Sequence, residues 1–262
     1  MHLSSNAPDW VSGVVYSANV ITFTAQPILA SGTPARAYSL QIKAKEDGGI
    51  QVFERDDTPL LPTCCIERHI NPDGTFCTAL ESTAPIKDQS DADDWWQSLA
   101  VYLINQDFAH KRGFWPLAGG LSHGNAAYQQ IEMEKIAEPL GWRDEILRSI
   151  FLREGWLSGA LPGRSKSKDG LVNARAACPR GCTWKHKGLR KHSCSTCDCD
   201  PDCKREHKAI ARADCPNRVT VEHLVLLEYE RRENERRLIL EMIAEGHKCC
   251  GTMTRCALRD AQ

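Results

Sequence analysis

The segment His69-Ile70-Asn71-Pro72-Asp73-Gly74-Thr75-Phe76-Cys77 decides how the rest of the chain reads. An imidazole, an amide and a thiol lie within nine residues, and the Asn-Pro-Asp-Gly between them turns the backbone back on itself. Such a turn brings Asn71 toward the sulfur of Cys77. That pairing suits thioester chemistry: a thiolate carries an acyl group, and an amide donates to the oxyanion when an amine attacks.

Upstream of this segment, four stretches have strand length and strand composition: Trp10 to Ala18, Val20 to Pro27, Ala37 to Lys43 and Ile50 to Glu54. Tight Ser-Gly, Gly-Thr-Pro and Asp-Gly-Gly turns separate them, which predicts an antiparallel meander. Tyr38, Leu40 and Ile42 alternate with polar neighbours, so one face of the sheet is expected to be buried. Residues 56–63 hold two prolines and read as an irregular crossing into the His69 segment.

Downstream, Asp91 reads as a helix N-cap with Asp93 and Asp94 in the first turn, where negative charge meets the positive end of the helix dipole. Trp95, Leu99, Tyr102 and Leu103 fall at helical spacing, and both Trp95 and Trp96 read as core. An aromatic loop at 113–124 leads to a helix capped by Ser122 and running to Glu138, with Ala127, Ile131, Met133 and Ile136 as core positions. Trp142 to Arg153 gives a third helix. The fold class is therefore α+β, an antiparallel β-meander with packed helices.

Charge changes sign along the chain. Residues 1–163 carry 12 Lys/Arg against 20 Asp/Glu, and residues 164–212 carry 13 against 5. The change places a boundary near residue 164, with a catalytic domain over 1–160 and a flexible basic linker over 161–177. A Cys/His-rich module with a long helix then fills 178–262.

Of the 13 cysteines, three precede residue 100 and ten follow residue 177. With no signal segment and no apolar run near the about 18 residues of a membrane span, the chain reads as cytoplasmic, without membrane contact. Clustered cysteines there point to metal rather than disulfides. Cys178, Cys182, Cys194, Cys197, Cys199, Cys203 and Cys215 interleave with His186, His192 and His207 within 38 residues, enough ligands for two zinc ions. One grouping sets Cys178, Cys182, Cys194 and Cys197 on one ion and Cys199, Cys203, His207 and Cys215 on the other. Val219 to Glu245 reads as one long helix ended by Gly246, its charged middle solvated and laced by pairs such as Glu228–Arg232 and Glu233–Arg237. Cys249, Cys250 and Cys256 are expected to fold back onto the zinc module.

The His69–Cys77 segment resembles the active-site segment of ubiquitin-conjugating enzymes, in which His-Pro-Asn precedes the catalytic cysteine. Here the tripeptide is His69-Ile70-Asn71, the gap to the cysteine is about two residues shorter, and Thr78 stands where leucine is common. Arg68-His69-Ile70-Asn71, Asp73-Gly74 and Phe76-Cys77 look more like bacterial members, some encoded in CBASS antiphage defence operons beside cGAS-like nucleotidyltransferases. The meander ahead of the segment fits the same resemblance. It implies Cys77 as the acyl-carrying nucleophile, Asn71 as oxyanion donor or loop holder, and His69 as a structural residue. It implies as partners a separate activating enzyme, and a ubiquitin-like modifier or a cGAS-like nucleotidyltransferase.

Asp73 and His123 are candidates, on chemistry alone, for deprotonating the amine. Two other readings remain. One is a cysteine hydrolase pairing Cys77 with His123. The other is a zinc-dependent scaffold whose Lys185, Lys187, Arg190 and Lys191 beside Trp184 bind nucleic acid or protein. The rival thiols Cys64 and Cys65 read as core.

Overall fold

The computed structural model describes residues 3, 7–17, 20–45, 49–55, 57, 59–78, 86–172 and 215–259. The expected zinc ligands Cys178, Cys182, Cys194, Cys197, Cys199, Cys203 and His207 lie outside these residues, as does most of the basic segment; Cys215 lies within them. Among the described residues no helix is long and apolar enough to cross a membrane. The chain divides into two compact units, one of residues 1–119 with 239–262 and the other of residues 120–238. The boundary expected near residue 160 falls inside the second unit.

The first unit holds the meander. Strands β1 (Val11–Ser17), β2 (Val20–Ala25), β3 (Tyr38–Ala44) and β4 (Ile50–Glu54) pair antiparallel in chain order. Opposite pairs such as Phe23 with Leu40 and Ile42 with Val52 put alternate apolar side chains on one face. Helix α1 (Gln89–Arg112) covers that face, and Trp96, Leu99 and Leu103 join Phe23, Leu40 and Ile42 in one buried cluster.

The helix starts earlier than the sequence predicts. Asp88, not Asp91, is the N-cap: its carboxylate accepts the Asp91 N–H at 3.0 Å, while Asp91 accepts the Lys87 N–H at 2.9 Å. Asp88 accepts the N–H of Asp91 while Asp91 reaches back to Lys87, so both act at the N-terminus and composition could not separate cap from first turn. That register buries Trp96 and leaves Trp95 packed at the cluster's edge.

The second unit is helical. Helix α2 (Ala126–Ala137), the short α3 (Arg143–Leu147) with a π-turn at Arg148–Leu152, and α4 (Arg218–Ala244, of which residues to Leu238 belong here) enclose Met133, Trp142, Ile146, Leu157, Leu224 and Val225. Ser122 does not cap α2. Its N–H donates to Gln130 at 2.6 Å and its hydroxyl accepts from Arg231 at 3.2 Å. Ile131, expected in the core, is exposed.

Two further expectations fail in this unit. The described part of the linker folds on itself and onto α4: Ser165 N–H donates to Gly170 and Val172 N–H to Gly163, and the Arg164 guanidinium lies over the Tyr229 ring. The charged middle of α4 is solvated on one side only: Glu230, Glu233, Arg236 and Arg237 are exposed, whereas the opposite side is not. Glu228 and Arg231 are buried, and Glu228 accepts from Arg231 at 2.7 Å and from Arg232 at 2.6 Å. Glu228–Arg232 forms as expected, but Glu233 faces Arg164 and Lys168 at 3.9 Å.

Candidate functional site

The His69–Cys77 segment folds as a hairpin on the edge of β4. Gly74 N–H donates to the Asn71 carbonyl at 2.9 Å and Asn71 N–H to the Thr75 carbonyl at 2.8 Å. Pro72 occupies the first central position of this turn, where its fixed φ fits, and Gly74 takes φ +82°, which a side chain would strain. Ile70 and Phe76 form a bridge pair, and Phe76 N–H donates to Val52 O at 3.0 Å, fastening the hairpin to the sheet.

Register then fixes which side chains share a face. Cys77 N–H donates to His69 O at 2.9 Å, so Cys77 stands opposite His69, and Asn71 stands opposite Thr75. Successive side chains alternate faces, so Asn71 and Cys77 share a face on a diagonal, while Ile70 and Phe76 are buried on the other. Cys77 is half-buried, and burial pushes its thiol above the ordinary range.

Asn71 Nδ2 donates to Thr75 Oγ1 at 2.8 Å, and Thr75 Oγ1 donates in turn to Asp73 Oδ1 at 2.6 Å. Asp73 Oδ1 also accepts the Thr75 N–H at 3.0 Å. Asn71 therefore spends one amide hydrogen on the turn and keeps a second, whereas Asp73, a candidate proton acceptor, is engaged in holding Thr75.

Helix α1 positions this hairpin from behind. His69 adopts a left-handed φ of +54°, unusual for a residue with a side chain, and the neighbouring carbonyls are held on both sides. Tyr102 hydroxyl donates to His69 O at 3.1 Å, and Gln106 Nε2 donates to Arg68 O at 2.7 Å. Arg68 is buried, and its guanidinium returns hydrogen bonds to Gln106 Oε1 at 2.8 Å and Gln106 O at 3.2 Å. The His69 ring packs on Trp115 with centroids 4.8 Å apart, and Phe76 stacks on Tyr102 at 4.8 Å. The His69 side chain is buried beside these held carbonyls.

Tyr102 as a positioning residue, with Gln106, Thr75 and Trp115, was not singled out by the sequence reading. Gln106 carried a signal in principle: it lies ten residues after Trp96 and seven after Leu99, on the same helical stripe, where a polar residue must find a partner.

A cleft of about 390 Å³ flanks the hairpin, walled by Phe53, Arg55, Pro62, Ile70, Asp73 and Phe76. Cys77 is not among its walls.

The other candidates fall elsewhere. His123 belongs to the second unit. Burial first, and Arg231 second, hold its imidazole down at about 4. Cys65 is buried core as expected, but Cys250 does not stand apart from it: the two sulfurs are 2.8 Å apart within the first unit. Cys249, Cys250 and Cys256 belong to that unit, against the turn that leads into the hairpin. Among the described residues no three His, Cys, Asp or Glu side chains group as a metal site.

Comparison with known families agrees with this architecture. Residues 11–117, from the start of β1 through α1 to the loop carrying Trp115, match the family described as the prokaryotic E2 domain. This part of the chain is thus similar to a bacterial E2, a ubiquitin-conjugating-like domain. Searches of curated proteins and of solved structures give no match.

Proposed function

We propose that the protein is a ubiquitin-conjugating-like acyl carrier. Cys77 receives the C-terminal carboxyl of a ubiquitin-like or other protein from a separate activating enzyme and holds it as a thioester. An amine then attacks the carbonyl carbon, the C–S bond breaks, and Cys77 leaves as the thiolate while an amide forms. The observation that carries this reading is the place of Cys77: it ends the hairpin, opposite His69, inside the stretch that matches the prokaryotic E2 domain.

The surroundings of Cys77 support the same chemistry. A thioester is activated enough that little acid–base machinery is required. The second hydrogen of Asn71 Nδ2 is the donor available on the Cys77 face for the developing oxyanion. Burial raises the Cys77 thiol, so loading, which needs the thiolate, should accelerate as pH rises; transfer should accelerate too, because the attacking amine must be deprotonated.

By the resemblance to bacterial relatives, the process served is antiphage defence, with a ubiquitin-like modifier or a cGAS-like nucleotidyltransferase as the carried protein. We read the 178–215 segment as holding two zinc ions, with its basic residues offered to nucleic acid or protein. Hydrolysis by Cys77 and His123 has less support. An imidazole held near 4 is a weak base for a thiol raised by burial.

The test is loading in the presence of an activating enzyme, a modifier and ATP. The wild type should form a reductant-labile adduct. Cys77→Ser should form either an oxyester resistant to thiols or nothing. A labile adduct of undiminished yield on Cys77→Ser would remove the assignment.

A further inference from the structure

Cys65 and Cys250 are separated by 185 positions, yet their sulfurs approach to 2.8 Å. The fold makes this meeting rather than leaving it to a loose tail. Thr254 N–H and Oγ1 donate to the Gly113 carbonyl at 2.7 and 2.9 Å, pinning the C-terminal segment to the end of α1. Any Cβ at Gly113 would come within 2.9 Å of Thr254 Cγ2, so the contact depends on glycine. Met253, Ala109 and Cys65 are buried together, with Trp115 and Cys250 packed against them. Cys65 is also fixed by its backbone, whose N–H and carbonyl both pair with Ile70, at 3.1 and 3.0 Å.

The pair is chemically unequal. Hydrogen bonding from Cys65 leads the lowering of the Cys250 thiol to about 5, with Thr252 and Arg68 assisting against a desolvation that opposes it. The same hydrogen bond, with burial, pushes Cys65 up. The two shifts run in opposite directions, so Cys250 is the thiol favoured to ionise and Cys65 the one favoured to keep its proton. Cys250 is half-buried and Cys65 is buried, which suits the first to attack as nucleophile and the second to act as resolving thiol.

We propose that Cys65 and Cys250 form a redox site that closes to a disulfide on reaction with a small disulfide of the glutathione type, stapling the 249–259 segment to the turn that enters the Cys77 hairpin. Cys250 attacks one sulfur of the small disulfide, forming a mixed disulfide and expelling a thiolate. Cys65 gives its proton to that thiolate and attacks the Cys250 sulfur, expelling the second small thiolate. Two electrons pass to the small disulfide, one S–S bond breaks and one remains in the protein. A disulfide bond is about 2.05 Å long, so closure needs less than an ångström of sulfur movement. The assignment does not depend on whether Cys77 carries an acyl group.

The full-length, fully reduced protein is equilibrated with graded mixtures of glutathione and glutathione disulfide. Remaining thiols are alkylated, and unreduced digests are mapped by mass. The expected product joins the Cys65 and Cys250 peptides, two hydrogens lighter than the sum, and reductant reverses it. It should vanish in Cys65→Ser and in Cys250→Ser and persist in Cys64→Ser and Cys77→Ser. Cys250→Ser keeps the test sound if the buried Cys65 substitution unfolds the chain. Recovery of both thiols alkylated across the whole series would overturn the proposal. So would Cys250 linked to another cysteine, stopped as a mixed disulfide with glutathione, or protected until a chelator removes metal.

Discussion

Cys77 and Cys250 lie in one unit and present one functional group in two opposite electrostatic settings. Cys77 has burial as the cause of its shift and is pushed up; Cys250 has a thiol partner within 2.8 Å, a threonine and a nearby arginine, and is pulled down. A low thiol is suited to small electrophiles and disulfides. A raised one stays quiet until an activated acyl group is delivered to it, and its thioester is then less prone to loss by stray reaction. Both hang on one frame, because the turn from Cys65 to His69 joins them and Arg68 and Gln106 lock that turn to α1.

The largest effect should come from breaking the frame. Gln106→Ala leaves the buried Arg68 guanidinium without its side-chain acceptor and the Arg68 carbonyl with only the Tyr102 hydroxyl, at 3.3 Å, as donor. The expected loss is about 3 kcal/mol. Denaturant midpoints check it, with slower loading of Cys77 at temperatures where the variant stays folded.

His123 sharpens the comparison from the other unit. Its pKa falls from 6.5 to about 4 on folding. Above pH 6.5 both states are neutral and the group is silent. Between 6.5 and 4 the unfolded chain takes up a proton that the folded chain refuses, so stability falls with pH. The loss reaches about 3 kcal/mol at most, and less at a half-buried ring that solvent screens. In His123→Gln, unfolding measured from pH 7 to 4 should lose that share of the slope, while loading of Cys77 at pH 8 should stay unchanged.

At pH 6 Cys250 is thiolate and Cys77 is almost wholly protonated; weaker intrinsic nucleophilicity of the low thiol offsets part of that advantage. Alkylation followed by peptide mapping should favour Cys250 on the order of tenfold at pH 6. Cys77 should gain as pH rises, and Cys65→Ser should move the Cys250 profile upward. The smallest effect is expected at the turn. Asn71→Ala removes one hydrogen bond to Thr75 and should cost about 1 kcal/mol of stability. Any larger loss in transfer rate, measured from a preloaded thioester, reports on the oxyanion instead.

What the sequence disclosed follows from distance along the chain. The meander was legible because alternation in Tyr38, Leu40 and Ile42 is a local signal, and the hairpin because Asn71-Pro72-Asp73-Gly74 specifies its own turn. Helix α1 was legible in kind but shifted at its start, since Asp88 and Asp91 are equally good caps by composition. Burial of Glu228 and Arg231 was hidden, because local pattern reads such a run as a solvated face and only contact with Ser122 and its neighbours reverses that. The meeting of Cys65 with Cys250 could not be read at all: nothing in either neighbourhood encodes a partner 185 positions away. At the candidate site, the motif points to Cys77, Asn71 and His69, whereas Tyr102 and Gln106, which donate to the Arg68 and His69 carbonyls, emerge only with the packing of α1 behind the hairpin.

The central claim is that Cys77 carries an acyl group, and the most direct measurement is intact mass of the full chain after incubation with an activating enzyme, a modifier and ATP. The mass should rise by that of the modifier less one water. The adduct should map to Cys77, be lost on adding a thiol and be retained when Cys250 is replaced by Ser. An unmodified Cys77 under conditions where the activating enzyme itself is loaded, or a labile adduct that maps to Cys250, would contradict it.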